Sequence, residues 1–377
     1  MTLSRFAFPT TIHFGPGARR LVDEHLRREG VARPLIVTDR GLAALPILAE
    51  FRSLLPGVAA AVFAGVHGNP TASQVGAGVE AYREHRADTV IGFGGGAALD
   101  VAKAVALMAV HAGEVLEYAW DHPRSRAVAN ALPHFVALPT TSGTGSEVGR
   151  SSVISEDGTR VKRIVFSPAL LAKAVFADPE LTLGLPAGVT AATGLDAFTH
   201  NVESYLSPAW HPMCDGIALE GARIAARALP VAVREPGDLA ARTDMMMASL
   251  MGAVAFQKDL GAVHSCAHAL GTVADMHHGL ANGIMIDHVM RFNAPAAPQK
   301  MAELARVCGA GTTAGDFVAW LGRLKRETGI PARLGEAGIT AAQVPDLVAV
   351  AVKDTCHQTN PRPCSAEDFG RIFAEAI

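Results

Sequence analysis

The sequence predicts two domains, an α/β N-terminal domain built on a parallel sheet and an all-α C-terminal domain. In residues 1–186, short apolar segments alternate with amphipathic stretches, which is the pattern of strands connected by helices. After Pro186, strand-like segments largely disappear, and Ala, Leu and Met recur at helical spacing. A chain of 377 residues exceeds the size at which one core usually keeps growing, so two domains, 1–186 and 187–377, are expected.

Apolar segments mark the expected strands of the first domain. They are PLIVTD at 34–39, AAAVFAG at 59–65, DTVIGFGGG at 88–96 and HFVALPTT at 134–141, followed by the apolar runs KRIVFS at 162–167 and KAVFADPELTLGLP at 173–186. TASQVGAGVEAYREHRAD lies between two of them and GARRLVDEHLRREG precedes the first, and both are long enough for helices. Crossover helices of this kind connect parallel strands. In the second domain, helical spacing is interrupted by breakers near Pro208, Pro230, Pro236 and Pro298.

The composition fits a compact enzyme and excludes several other classes of protein. Hydrophobic residues make up 49% of the chain and charged residues 18%, with a mean hydropathy of +0.23. The net charge of −3 offers no basic field for nucleic acid or for an anionic membrane. Five cysteines without a CxxC pair argue against a disulfide framework and a thiolate zinc site. The N-terminus lacks the pattern of a signal peptide, and no run reaches about 18 apolar residues, so a cytoplasmic protein is expected.

Four side chains form a candidate set of metal ligands. Asp196 and His200 are four residues apart, so both lie on one face of a helix, and His264 and His278 follow in later helical segments. One carboxylate and three imidazoles suffice for a divalent ion such as Fe²⁺ or Zn²⁺. The alternative is chance, because a chain with 15 His contains surface and hydrogen-bonded core histidines that bind no metal.

Two glycine-rich segments indicate a nucleotide site. Gly94, Gly95 and Gly96 lie between an expected strand and an expected helix, where backbone amides hold a diphosphate; a tight turn is the alternative. Asp39 ends the strand LIVTD, where a carboxylate accepts hydrogen bonds from ribose hydroxyls and favours NAD over NADP; a helix N-cap is equally compatible. The segment PTTSGTGSEV offers neutral donors to a cofactor, or is only a glycine-rich loop; its candidates are Thr140, Thr141 and Thr144.

The triple glycine, DPELTLGLP, GLDAFTH and the two histidine segments occur in an order that resembles the iron-containing (group III) alcohol dehydrogenases over essentially the whole chain. The resemblance implies a dehydroquinate synthase-like architecture of two domains. It also implies an NAD-dependent, metal-containing enzyme that interconverts a small alcohol and aldehyde, and, with the apolar composition, a homo-oligomer, expected to be a dimer.

The family's functional residues fall on named positions of this chain. Its metal ligands fall on the four residues chosen above, and a histidine near the nicotinamide falls on His268. Its cofactor positions fall on Asp39, Gly95, Gly96, Asp100, Thr140, Thr141, Thr144 and Lys162. For His268 we predict proton exchange with solvent, because imidazole titrates near neutral pH; packing is the alternative.

Three positions depart from the pattern of many relatives. Ala97 replaces a serine after the glycines and removes one hydroxyl contact to the cofactor. His277 precedes the ligand His278, and could act as a second ligand, relay protons or pack. Lys258 replaces an uncharged residue and predicts a substrate with an anionic group, unless it pairs with Asp259 or with another carboxylate.

Two other function classes compete with the dehydrogenase. A dehydroquinate synthase-type lyase would show no net NADH, but basic residues for a sugar phosphate are not evident beyond Lys258 and Lys162. A non-catalytic NAD-binding protein would not need four metal ligands. Cys356, His357 and Arg362 could also reach the site, in roles that the sequence does not assign.

Overall fold

The computed structural model describes residues 5–8 and 10–377 and separates into two compact units. The nucleotide unit comprises residues 10–141 and Gly145–Thr182. The helical unit comprises residues 5–8, Ser142–Thr144 and Leu183–Ile377. The segment PTTSGTGSEV is therefore divided between the two units. The predicted single boundary at Pro186 did not include this division.

A six-stranded parallel sheet forms the centre of the nucleotide unit, in the order β1-β8-β5-β4-β2-β3. The strands of this unit are β1 Thr11–Phe14, β2 Pro34–Asp39, β3 Ala61–Val66, β4 Thr89–Gly94, β5 His134–Pro139, β6 Ser151–Ser155, β7 Lys162–Phe166 and β8 Ala174–Ala177. β2, β4 and β5 are buried along nearly their whole length, as expected of central parallel strands. The predicted fold class is confirmed.

Two strands were not predicted, and one apolar run pairs differently from the expectation. β1 is an edge strand of polar and half-buried residues, so it has no continuous apolar run. β7 lies outside the parallel sheet and pairs antiparallel with β6 as a two-stranded hairpin. The run 162–167 is apolar enough for a strand, but its partner is a serine-rich segment without that signal.

The helices of the nucleotide unit cover the sheet. They are α1 Val22–Arg28, α2 Arg40–Ala43, α3 Pro46–Ser53, α4 Ala72–His85 and α5 Gly96–Val110. β2 lies between β3 and β4, so the chain order reverses between β2 and β4. Asp39 and Gly94 end these two strands, and a reversal of this kind is where doubly wound sheets bind nucleotides.

The helical unit consists of α6 Ala187–Leu206, α7 Pro212–Arg234, α8 Leu239–Ala255, α9 Ala262–Ala274, α10 His278–Asn293, α11 Pro298–Val307, α12 Ala314–Thr328, α13 Val344–Ala351 and α14 Ala366–Ala376. Pro298 begins α11 as predicted, but Pro230 lies inside α7 and does not end it. Buried alanines such as Ala225 and Ala232 lie on either side of Pro230, so packing holds the helix across the lost hydrogen bond. Within the described residues, no helix has the length and apolar character needed to cross a bilayer.

Candidate active site

Three helices bring the four predicted metal ligands together. α6 supplies Asp196 and His200 from one face, α9 supplies His264, and α10 begins with His278. Asp196 Oδ1 lies 3.8 Å from the Nε2 atom of His200, 3.9 Å from that of His264 and 3.5 Å from that of His278. One donor atom from each residue lies within 4.8 Å of every other. Three imidazole nitrogens and one carboxylate oxygen thus converge on one point.

The surroundings keep His200 in the form that binds a metal. Asp196, His200 and His264 are buried. Burial lowers the pKa of His200 to about 4 and outweighs the opposing charge of Asp196, so His200 is neutral at pH 7. A neutral imidazole offers a nitrogen lone pair, and the mixed nitrogen and oxygen donor set fits a divalent ion of the Fe²⁺ or Zn²⁺ type.

Glu203 is a buried residue of the site that the sequence prediction missed. It follows Asp196 by seven residues and His200 by three, so it lies along the same face of α6. Its Oε2 accepts a hydrogen bond from His264 Nδ1 at 2.6 Å, and its Oε1 accepts one from the Val263 amide at 2.7 Å. Burial lowers the pKa of His264, but the hydrogen bond and charge of Glu203 outweigh burial and leave it raised. A proton on Nδ1 leaves the Nε2 lone pair directed at the ligand cluster.

Asn282 was also missed, although it follows His278 by one helical turn. Its Nδ2 donates to Asp196 Oδ1 at 2.7 Å and lies 3.2 Å from His278 Nε2 and 3.3 Å from His264 Nε2. One buried amide group therefore contacts three of the four ligands and restrains the carboxylate oxygen.

His268 lies beside the ligand cluster and is held by a carboxylate. Its ring stacks on that of His278, with the centroids 5.4 Å apart. Its Nδ1 is 2.7 Å from Asp354 Oδ2, while Oδ1 of Asp354 accepts hydrogen bonds from Ser265 Oγ and the Cys356 amide. Burial raises the pKa of Asp354, but the His268 charge and these hydrogen bonds outweigh it and hold the pKa well below its usual range. His268, Asp354 and Cys356 also group their donor atoms within 4.8 Å.

Lys258 is fully buried, but its partner is Asp215 and not Asp259. Its Nζ lies 2.5 Å from Asp215 Oδ1 and 3.3 Å from the Tyr205 carbonyl oxygen. A second lysine, Lys300, lies 3.7 Å from the other oxygen of Asp215. The charge of Lys258 is thus compensated inside the helical unit, so the geometry gives no support to a role in binding an anionic substrate.

Several predicted cofactor residues lie together at the carboxyl edge of the parallel sheet. Asp39 accepts a hydrogen bond from the Leu42 amide at 2.8 Å, so it is the N-cap of α2. Its Oδ2 is only 3.5 Å from where a Cβ would stand on Gly94, which has a φ of +156°. The Thr140 amide donates to the Gly94 carbonyl. A Cβ on Gly95 would lie 3.3 Å from the Thr141 side chain, so glycine keeps this turn free of a close contact.

The remaining predicted cofactor residues have other surroundings. Gly96 is the first residue of α5. Asp100 accepts hydrogen bonds from Ser146 Oγ at 2.5 Å and from the Val153 amide at 3.0 Å, which ties α5 to the hairpin. Lys162 begins β7 opposite Ser155, and Thr144 belongs to the segment grouped with the helical unit.

Three residues without an assigned role make contacts with nearby helices and rings. His277 accepts a hydrogen bond from the Leu280 amide and caps α10. The His357 amide donates a hydrogen bond to Ser265 Oγ, and its ring packs edge-on against Phe369. Arg362 lies over the ring of Phe292 at 4.0 Å.

Comparisons with known proteins identify the family. The family model for iron-containing alcohol dehydrogenases matches residues 9–179, and the model for the C-terminal part of the Fe-containing alcohol dehydrogenase family matches residues 190–377. A 4-hydroxybutyrate dehydrogenase of Cupriavidus necator is 39% identical, with 98% of each chain covered. The crystal structure of a 1,3-propanediol oxidoreductase has a TM-score of 0.95 at 35% identity and covers 100% of both chains. A sulfoacetaldehyde reductase of Bifidobacterium kashiwanohense, solved in complex with NAD+, has a TM-score of 0.90 at 28% identity and covers 100% of this chain and 99% of its own. The chain belongs to the iron-containing alcohol dehydrogenase family and is an oxidoreductase.

Proposed function

We propose that this protein uses the four-residue cluster to hold a divalent metal, and that it transfers a hydride between NAD and a small primary alcohol or its aldehyde. One observation carries the proposal: Asp196, His200, His264 and His278 converge with Glu203 fixing the tautomer of His264. Asp196, His200, His264 and His278 would hold the ion, which would supply Lewis acidity toward a substrate oxygen, and bound NAD would supply the hydride chemistry.

The metal is proposed to be iron, with zinc as the alternative. The donor set of three nitrogens and one oxygen suits both ions, and intrinsic affinity favours Zn²⁺ over Fe²⁺, so the ion bound depends on availability. Family membership gives iron the greater weight.

His268 is proposed to exchange the proton of the substrate hydroxyl with solvent. Asp354 accepts from Nδ1, so the Nε2 atom remains free to give or take a proton. The negative charge of Asp354 stabilises the imidazolium that forms when His268 takes a proton. Asp354 touches neither substrate nor cofactor in this scheme, so its role is to position and charge-balance His268.

The cofactor is proposed to lie at the carboxyl edge of the parallel sheet, with its diphosphate at the amides of the Gly94, Gly95 and Gly96 turn and its ribose at Asp39. Asp39 uses one oxygen to cap α2, and its second oxygen stays available to a ribose hydroxyl. Thr140, Thr141, Thr144, Asp100 and Lys162 remain predicted cofactor residues, and a homodimer remains the predicted assembly.

The substrate is proposed to be a short chain that carries a hydroxyl group at one end and a polar group at the other. The 4-hydroxybutyrate and sulfoacetaldehyde enzymes act on anionic compounds by name, whereas 1,3-propanediol is neutral. Lys258 is already paired, so a carboxylate on the substrate would need another partner.

The test is reconstitution of metal-free protein with Fe²⁺ under anaerobic conditions or with Zn²⁺, followed by NADH absorbance with NAD and 4-hydroxybutyrate, 1,3-propanediol or ethanol. Activity should require metal, disappear in His264→Ala and persist in His85→Ala, a half-buried histidine at the end of α4. NADH formation that survives both chelation and His264→Ala would refute the proposal, and turnover without net NADH would favour the lyase.

A further inference from the structure

A second cluster of ionisable groups lies in the nucleotide unit, at the end of the sheet opposite the proposed cofactor edge. A cavity of about 290 Å³ opens there beside the first residues of β1, β5 and β8 and the last turn of α1. Its lining includes His13, His25, Arg28, His134 and Lys173. We propose that this cavity is a binding site for a small dianion of the phosphate class. The proposal is independent of the proposed function.

The fold gathers these side chains on one face of the sheet. His13 lies beside Phe176 in the β1 and β8 register, and the two rings stack with centroids 4.7 Å apart. His134 precedes Val136 by two residues, so both side chains lie on the same face of the sheet. Helix α1 packs on this face, where its His25 ring lies edge-on against Phe176. The side chains beneath α1 are thus apolar in the centre of the sheet and are imidazoles at the open edge.

Hydrogen bonds fix the proton positions of the two central imidazoles. Arg28 can only donate, so His25 Nδ1, 3.0 Å away, is the acceptor. His25 then carries its proton on Nε2 and donates it to His134 Nε2 at 3.0 Å. Each ring is neutral in this relay. A further proton on His134 Nε2 would place two N–H groups face to face. The protonated pair would then lack an acceptor, which an entering anion would supply.

The charge around the cavity is positive. Arg28 and Lys173 carry one charge each, Glu29 carries the opposite charge, and the histidines can add more by taking up protons. Burial lowers the pKa of His25, and His134, Arg28 and His13 lower it further, against Glu29. Burial also lowers the pKa of His134, with Lys173 acting in the same direction and Glu29 opposing. The negative charge of a bound dianion would raise the pKa of both histidines, so binding of the dianion is coupled to proton uptake.

The size and position distinguish this site from the proposed diphosphate site. A liquid water molecule occupies about 30 Å³, so the cavity has room for a phosphate ion or a short phosphate ester. β5 begins at His134 in the cavity and ends next to Thr140 at the cofactor edge, roughly 17 Å away at about 3.3 Å per residue.

The experiment is calorimetric titration of the full chain with inorganic phosphate, sulfate and glycerol 3-phosphate, in the presence of saturating NAD to fill the diphosphate site. Sulfate keeps its charge between about pH 6 and 8, so its binding should tighten as pH falls and take up a proton, as the histidine relay requires. Arg28→Ala should weaken binding by about 10-fold or more, as expected for loss of a charged hydrogen bond, and Lys173→Ala should weaken it too. Arg52→Ala, an exposed arginine on α3, should not change it.

The outcomes separate the sources of the ligand. Tighter binding of glycerol 3-phosphate assigns the site to a phosphorylated metabolite, and equal or tighter binding of inorganic phosphate assigns it to the free ion; both support the proposal. Absence of binding by all three anions, or binding that Arg28→Ala leaves unchanged, overturns it. Binding of Zn²⁺ without any response to the anions would overturn it in favour of a metal site at His25 and His134. Arg28 is mostly exposed, so this variant tests the site without threatening the fold.

Discussion

Replacing Glu203 with Gln tests whether a buried carboxylate sets the tautomer of a metal ligand. The carboxylate uses separate oxygens for His264 Nδ1, at 2.6 Å, and for the Val263 amide, at 2.7 Å. Glutamine has one oxygen and one NH₂ group in the same volume. If the oxygen keeps the Val263 amide, the NH₂ group faces His264 Nδ1 and both are donors. The ring relieves this by moving its proton to Nε2, which is the atom that faces the ligand cluster.

The expected effect of Glu203→Gln is a loss of metal affinity. Loss of a hydrogen-bond partner behind a metal-bound histidine typically lowers metal affinity by about 10- to 100-fold. This corresponds to roughly 1.4–2.7 kcal/mol. Glu203 is 2% exposed, so water cannot replace the missing acceptor, and the effect should fall toward the upper part of that range.

Competition with a chromophoric chelator measures the affinity directly. Zn²⁺ is the suitable ion because it has no redox chemistry. Glu203→Gln should release Zn²⁺ to the chelator at lower chelator concentration than wild type, and activity should return when metal is in excess. Glu220→Gln, an exposed position on α7, is the matched control. Equal Zn²⁺ affinity in Glu203→Gln and wild type, with circular dichroism unchanged, would refute the tautomer argument.

Three further variants test other parts of the molecule. Burial raises the pKa of Glu147 from its usual 4.5 to about 7, so the folded state loses stability as pH rises between these values. In urea unfolding, Glu147→Gln should raise the free energy of unfolding by about 3 kcal/mol at about pH 8 and by little near pH 5. An equal increase at both pH values would contradict the shift. Asp354→Asn should lower kcat by about 10-fold or more, change KM little and alter the pH profile, because the amide cannot stabilise the His268 imidazolium, whereas Asp346→Asn should behave as wild type. Lys258→Met should leave the ratio of kcat/KM for 4-hydroxybutyrate and 1,3-propanediol within about 2-fold of wild type, because its charge is already paired; a selective loss on 4-hydroxybutyrate would restore it as a substrate residue.

The sequence predicts those parts of the site that depend on neighbours in the chain. Asp196 and His200 are one helical turn apart, so their convergence follows from helix geometry alone. The same geometry extends to Glu203, seven residues after Asp196, and to Asn282, four after His278; a search for polar residues at these spacings would have found both. Apolar runs likewise predict β2, β4 and β5, because strands buried on both faces need no partner to be recognised.

Partners that are distant in sequence decide the rest. His268 and Asp354 are 86 residues apart, and Lys258 and Asp215 are 43 apart, so no local pattern joins them. The chain places Asp259 directly after Lys258, which made it the natural partner, yet adjacent residues on a turn do not face each other. A buried lysine needs a carboxylate that tertiary packing brings to it, and here that carboxylate comes from α7. For a charged residue at an unusual position near a candidate active site, as for Lys258, pairing with a buried counterion is therefore the first interpretation to test, ahead of substrate binding.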